Sequence, residues 1–291
     1  MNLASKLVLG TVQFGLDYGI NNSVGKLNQK SVNEVLKYAS DSGIRLLDTA
    51  QAYGDSEDKI GSYHQSGNKS FQCITKVPHG VDHTQIRKAL ELSAEKLGGQ
   101  LYGVLIHHIQ AFREQPKLLN ELHRAQQDGL FTKVGFSVYH VDDLNLLFDN
   151  KVDFQLVQFP FNVFDQRFRE IMPELHARGV EIHTRSAFLQ GLFFKPIEQL
   201  HKQFNSVADK IAKVQNLARL NHIPLSNVLL GYCLLEEHID AVVIGVDSIG
   251  NLADNLTVLN YIESIRSLKS LLNELIVHDQ NVILPTNWNL K

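Results

Sequence analysis

Four side chains, Asp48, Tyr53, Lys76 and His107, have the types and spacing to move a proton to or from an oxygen bonded to carbon. "LLDTAQAYG", residues 46 to 54, runs two leucines straight into Asp48 and places Tyr53 five positions later. A phenol with its ordinary pKa of about 10 exchanges protons poorly at neutral pH, and a nearby ammonium lowers that pKa by favouring the phenolate. Lys76, closing "FQCITK", can supply the charge. A lone buried ammonium is costly, so Asp48 reads as its counter-charge. His107, closing "LYGVLIH", can donate a hydrogen bond that orients the oxygen. Singly, a strand-end lysine is usually a solvated tip and a lone histidine a bonded core residue. Only convergence makes them a site, and the set leaves open what happens at carbon.

Convergence requires elements that bring residues far apart in the chain to one rim. Eight runs read as strands: "KLVLG", "IRLLD", "FQCITK", "LYGVLIH", "TKVGFS", "FQLVQF", "VEIHTR" and "DAVVIG". They are apolar nearly throughout and alternate with amphipathic stretches, the pattern of a parallel sheet buried on both faces. Ser31 with Glu34 has the capping-box spacing, Val32, Val35, Leu36 and Ala39 form one face, and Gly43 ends that helix. Asp82 and Gln85 open a second helix with Ile86, Leu90 and Leu97 at helical spacing. Eight such units in 291 residues favour an α/β fold of the (β/α)8 TIM-barrel type, one domain over residues 1–291. The additions to it are a Gly- and Asn-rich loop at 11 to 28, an irregular stretch at 192 to 206, and a C-terminal helix with Ile262, Ile265, Leu268, Leu272 and Leu275, followed by "NVILPTNWN". No Gly-x-Gly-x-x-Gly follows an early strand, which argues against a doubly wound dinucleotide domain. In such a barrel the C-terminal strand ends form the active rim, which adds Ser137, Gln158, Arg185 and Ser186 to the candidates.

Bulk composition narrows the partners. Lysine and arginine total 28 against 31 acids, a net charge of -3 with no block of one sign, which argues against nucleic acid and membrane surfaces. Small molecules are the expected partners. The start lacks a signal-peptide pattern and no apolar run is long enough to span a bilayer, so the expected location is cytoplasmic. Cys73 and Cys233 each sit in an apolar stretch and read as buried thiols rather than a disulfide or metal site.

These residues resemble the aldo-keto reductase superfamily. "LLDTAQAYG", "ITK" and "GVLIHH" are similar to its aspartate–tyrosine, lysine and histidine segments, and "LVLGTVQFG", "KVGFS", "VQFPFN", "RSAFLQGL" and "VVIGVDSIGNLADNL" follow in the family's order over essentially the whole chain. The resemblance implies NAD(P)H-dependent reduction of an aldehyde or ketone, a keto-sugar or small aldehyde among them. Tyr53 would be the general acid, Lys76 would lower its pKa, Asp48 would pair Lys76 and His107 would orient the carbonyl. It further implies that Ser137 and Gln158 hold the nicotinamide carboxamide, that Gly10 and Thr11 lie near the nicotinamide ribose, and that Arg185 takes the place of a stacking aromatic. Ser186, Leu189, Gln190 and Gly191 would follow the pyrophosphate, and Ser248, Asn251 and Asn255 the adenosine end. No metal is implied. Val138 stands where many members have asparagine. The family's clamp for a 2′-phosphate maps onto Gly245 and Asn251, with Asp247 adding negative charge, and NADP(H) is favoured over NAD(H) on family grounds alone. Two alternatives use the same residues: a barrel that binds cofactor for regulation with little turnover, and a lyase with a Schiff base on Lys76.

Overall fold

The apolar runs become strands because each is β-branched or leucine-rich on both faces, so it is stable only when covered inside and out. The computed structural model describes residues 3 to 68, 71 to 99 and 101 to 290; Met1, Asn2 and Lys291, at the ends of the expected domain, lie outside them. β1 (Leu7–Gly10), β2 (Leu46–Asp48), β3 (Gln72–Val77), β4 (Leu101–Ile106), β5 (Phe131–Ser137), β6 (Leu156–Pro160), β7 (Glu181–Arg185) and β8 (Ala241–Gly245) pair in parallel and close in chain order into a (β/α)8 barrel. The seam pairs Gly10 with Gly245, and Gly10 also faces Asp48 across β1 and β2. The register between β5 and β6 sets Ser137 opposite Gln158.

The major apolar core lies between the strands and the surrounding helices. Inside the barrel the apolar layer is thin, made of Val8, Ala241 and Val243 on one side and Ile74, Leu105 and Leu156 on the other. Polar clusters lie at the two ends of that layer. One is the rim already anticipated. The other, at the strand starts, joins Lys133, Tyr102 and His183 to Glu181.

Two helix starts differ from the sequence expectation. The first crossover helix is Gln29–Asp41, and Asn28 caps it by accepting from the Ser31 amide at 3.0 Å. Ser31 is therefore inside the helix. Leu27 and Val32, before the cap and in the first turn, are both buried in the core, and that apolar pair draws the start back to Asn28. Asp82 caps a short 3-10 turn, His83–Gln85, which leads into the helix Ile86–Leu97. A helix at Ser56–Gln65 makes the crossover from β2 to β3, directly behind Tyr53. The C-terminal helix Ile262–Asn273 buries Ile262, Ile265, Leu268 and Leu272 as expected, whereas Leu275, expected on the same face, is buried in the turn beyond its end. Both cysteines are free and buried. Among the described residues no helix is long and apolar enough to cross a membrane, and no cluster of three His, Cys, Asp or Glu is arranged to hold a metal.

The lower polar cluster has a consequence for stability. Burial opposes ionisation of Glu181, but His183, Lys133 and Tyr102 outweigh it and pull its carboxyl down to about 2. A depressed carboxyl adds stability that is present above its unfolded value of about 4.3 and is lost as pH falls through about 2. Glu181→Gln should cost about 2 kcal/mol in urea unfolding at neutral pH, a discounted figure for stripping one partner from a partly buried ion pair. The gap to wild type should close as the solution is acidified. A gap near zero at neutral pH would contradict this account.

Candidate active site

The rim is organised around one carboxylate. Lys76 Nζ donates to Asp48 Oδ1 at 2.5 Å and to the Thr49 carbonyl at 2.8 Å, while Gln158 Nε2 donates to Asp48 Oδ2 at 2.7 Å. Lys76, Asp48 and Gln158 are 1%, 3% and 1% exposed. An unpaired charge at such depth would be strongly destabilising, so each group depends on the others. Burial holds the Lys76 pKa below the ordinary lysine value, and the Asp48 carboxylate offsets part of that lowering. Gln158 was expected only to meet a carboxamide. Its bond to Asp48 was not foreseen, and it fixes the amide's orientation, leaving Oε1 for another donor.

Tyr53 stands over this pair. Lys76 Nζ lies 5.1 Å from its ring centroid, and His107 meets the ring edge-on at 5.9 Å. The phenol pKa is pushed upward, first by burial and next by Asp48, with the Arg185 guanidinium opposing. That corrects the expectation that Lys76 lowers it: in this arrangement the phenol stays protonated, and Arg185 is the cation that draws it down. His107 is held at about 3, chiefly by burial and then by Lys76, His108 and Arg185, so its imidazole is neutral at physiological pH.

Glycines set the position of Tyr53. A short helix, Val12–Gly15, packs so closely on its loop that a Cβ on Gly15 would lie 1.7 Å from the Tyr53 carbonyl oxygen. Gly54, at a φ of 56°, faces the Gly15 carbonyl from the other side. Thr11 completes the clamp: its amide and hydroxyl both donate to the Asp48 carbonyl, and Ser56 Oγ donates to its hydroxyl. The Thr11 hydroxyl, expected near a ribose, is thereby committed to the loop.

A column of rings runs away from Tyr53. His107 stacks on His108 at 4.8 Å, His108 on Tyr139 at 6.2 Å, and the Arg185 guanidinium lies 4.2 Å above the Tyr139 ring. Arg185 Nη2 is buried without a hydrogen-bond partner, as is Gln13 Oε1. Tyr139 was missed in the sequence, although it lies two positions beyond Ser137 and so tends to the same side of the sheet.

Asp48, Tyr53, His107, His108, Tyr139, Gln158 and Arg185 border one cavity of about 670 Å³ at the barrel mouth, within the range of cofactor sites. Of the residues expected at the site, all but Lys76 and Ser248 line it. Lys76 sits beneath the floor. Ser248 Oγ is occupied as a helix cap, accepting from the Asn251 amide at 3.1 Å. Along one wall Ser186, Leu189 and Gln190 take positive φ of 66°, 45° and 52°, followed by Gly191 at 95°. Such strain persists only where surroundings enforce it. Here the first loop does so: the Ile20 amide donates to the Gln190 carbonyl, and Asn21 Nδ2 to the Gly191 carbonyl at 2.6 Å. Beyond β8, Asp247 lines the same cavity and accepts from Asn251 Nδ2.

A sequence profile of the Aldo/keto reductase family matches residues 6–271. The chain is similar to L-galactose dehydrogenase of Arabidopsis thaliana, with 23% identity covering 80% of this chain and 79% of that protein. It is also similar to the aldo-keto reductase YhdN of Bacillus subtilis, with 25% identity covering 62% of this chain and 57% of that one, so it spans little more than half of YhdN's length. Its fold matches an aldo-keto reductase of Bacillus halodurans in holo form, with a TM-score of 0.79 and 17% identity over 97% and 95% of the two chains.

The loop clamp is open to a direct check. Gly15→Ala forces a methyl against backbone with no side chain to give way, and should cost about 2 to 3 kcal/mol, the scale of overpacking. Urea unfolding with an unchanged midpoint would contradict the close approach.

Proposed function

The chain belongs to the aldo/keto reductase family and is an oxidoreductase, and from that premise we propose that it reduces a carbonyl with Tyr53 as the proton donor. The observation that carries this is the meeting of the Tyr53 phenol, the His107 imidazole and the Lys76–Asp48 ion pair beside one cavity. A nicotinamide dinucleotide fits the residues present. The cavity holds two uncommitted buried polar atoms, Arg185 Nη2 and Gln13 Oε1, and Gly10 and Gly245 present backbone without side chains. When bound, it supplies the hydride.

The protein's own groups then divide the remaining work. Tyr53 gives its proton to the carbonyl oxygen as negative charge develops there. Arg185 stabilises the phenolate left behind, and Lys76, paired with Asp48, lies below the ring. Asp48 holds Lys76 in place. His107, neutral, orients the oxygen by donating one hydrogen bond. Ser137 and the free Oε1 of Gln158 serve the nicotinamide carboxamide, and the Arg185 guanidinium supports the nicotinamide ring. The segment from Ser186 through Leu189, Gln190 and Gly191 would hold the pyrophosphate, and Gly10 with the backbone of Thr11 the nearer ribose. Asn251 and Asn255, which line the cavity, would take the adenosine end, with Ser248 capping the helix that carries them.

A substrate rich in hydroxyls, such as an aldose or keto-sugar, suits a wall that includes His108, Tyr18 and Gln190, and the relative named L-galactose dehydrogenase points the same way. The lyase alternative finds no support, because the Lys76 amine is already committed to Asp48 and Thr49.

With 4-nitrobenzaldehyde and reduced nicotinamide dinucleotide, Tyr53→Phe should lower turnover by on the order of a hundredfold or more, the scale of lost general acid catalysis. Nucleotide affinity, read from nucleotide fluorescence, should be retained. Wild-type reduction should be level from about pH 6 to pH 8, because neither the raised phenol nor the depressed His107 titrates there. Turnover surviving in Tyr53→Phe would remove the phenol from the mechanism.

A further inference from the structure

We infer that the far end of the cavity selects NADH over NADPH, with Asp247 as the residue that decides. The inference rests on the nicotinamide reading above and reverses the lean to NADP(H) that the family resemblance implies. It starts from the charges that border the cavity. Among the described lining residues the permanently charged side chains are Asp48, Arg185, Asp247 and Asp254. Arg185 is fixed over Tyr139 beside the phenol, where the reaction takes place. A dinucleotide with its nicotinamide there extends its adenosine toward Asp247 and Asp254, and no lysine or arginine lines that end.

The additional group on NADPH is a phosphate at the adenosine 2′ position. It carries close to two negative charges at neutral pH and accepts hydrogen bonds without offering any of its own, so it needs cationic or amide donors. A free 2′-hydroxyl needs an acceptor. Two acceptors at this end are free to take a hydroxyl. Asp247 gives one carboxylate oxygen to Asn251 and keeps the other. Gln13 Oε1 is buried without a partner, and its amide lies so close to Gly245 that a Cβ there would come within 2.7 Å of it.

The counter-argument is the N-terminus of the helix Ile249–Leu256, whose dipole favours an anion. Its effective charge is roughly half an elementary unit, and Asp247 already places a full negative charge against it. Ser248 Oγ also takes the Asn251 amide that would otherwise face a phosphate. Net repulsion of the phosphate follows.

Equilibrium titration of NADH and NADPH, followed by nucleotide fluorescence or calorimetry, tests this on wild type, Asp247→Asn and Asp254→Asn. Wild type should bind NADH tighter by on the order of tenfold or more, the scale of one like-charge contact at moderate screening. Asp247→Asn should narrow the ratio several-fold, mainly by improving NADPH, and Asp254→Asn should narrow it less because Asp254 is more exposed. Added salt should narrow the wild-type ratio as well. Equal or tighter binding of NADPH by wild type, or an unchanged ratio in Asp247→Asn, would overturn the selection by Asp247. Failure of either nucleotide to bind would instead overturn the nicotinamide reading on which it rests.

Discussion

The ammonium of Lys76 is buried beneath the barrel mouth, and the site depends on the carboxylate that makes this tenable. Desolvation works against the charge, and a single hydrogen bond from a neutral group would not offset it. Asp48 provides full countercharge at contact distance and the Thr49 carbonyl a second acceptor. The carboxylate's other oxygen is satisfied by Gln158 from the far side of the barrel. Strands β2, β3 and β6 are thus tied together inside the rim by one group. The Tyr53 ring rests above them, so its relation to Lys76 is set by the barrel's register rather than by the loop alone.

The charge layout has a functional logic. Asp48 neutralises Lys76, so the cation at the mouth that lacks a carboxylate partner is Arg185, half-buried, stacked on Tyr139 and close enough to act on the phenol. Arg185 is the basic side chain among the described lining residues, and Asp247 and Asp254, which follow β8, are acidic ones. At the strand starts a separate network around Glu181 satisfies its own charges. Two polar ends and an apolar middle let one small barrel carry buried charge at both mouths without a polar core between them.

Much of this was legible in the sequence. Nearly continuous apolar runs between amphipathic stretches located the strand ends, and parallel order alone brought Asp48, Lys76, His107, Ser137, Gln158 and Arg185 to one rim. The bond from Gln158 to Asp48 was not legible, because it joins residues 110 apart and depends on closure of the barrel and on a side-chain rotamer. The direction of the Tyr53 shift was not legible either: a lysine nearby in sequence order implies lowering, whereas the depth of the ring sets desolvation, and depth is a tertiary property. Asn28 and Ser31 are both good caps, and only the burial of Leu27 and Val32 decides between them. The lower cluster could have been found, since Glu181 and His183 in "EIHTR" share the inner face with Arg185 by the same alternation.

Asp48 compensates the buried charge of Lys76. A double-mutant cycle on stability tests it most directly, with urea unfolding of Asp48→Asn, Lys76→Met and the double variant. Asp48→Asn leaves a buried ammonium unpaired, and Lys76→Met removes that ammonium, so the double variant should be more stable than the sum of the single losses predicts. The coupling should be roughly 1 to 3 kcal/mol, the range for residues in one buried network. Additive losses would contradict the account, because each side chain would then be acting independently of the other.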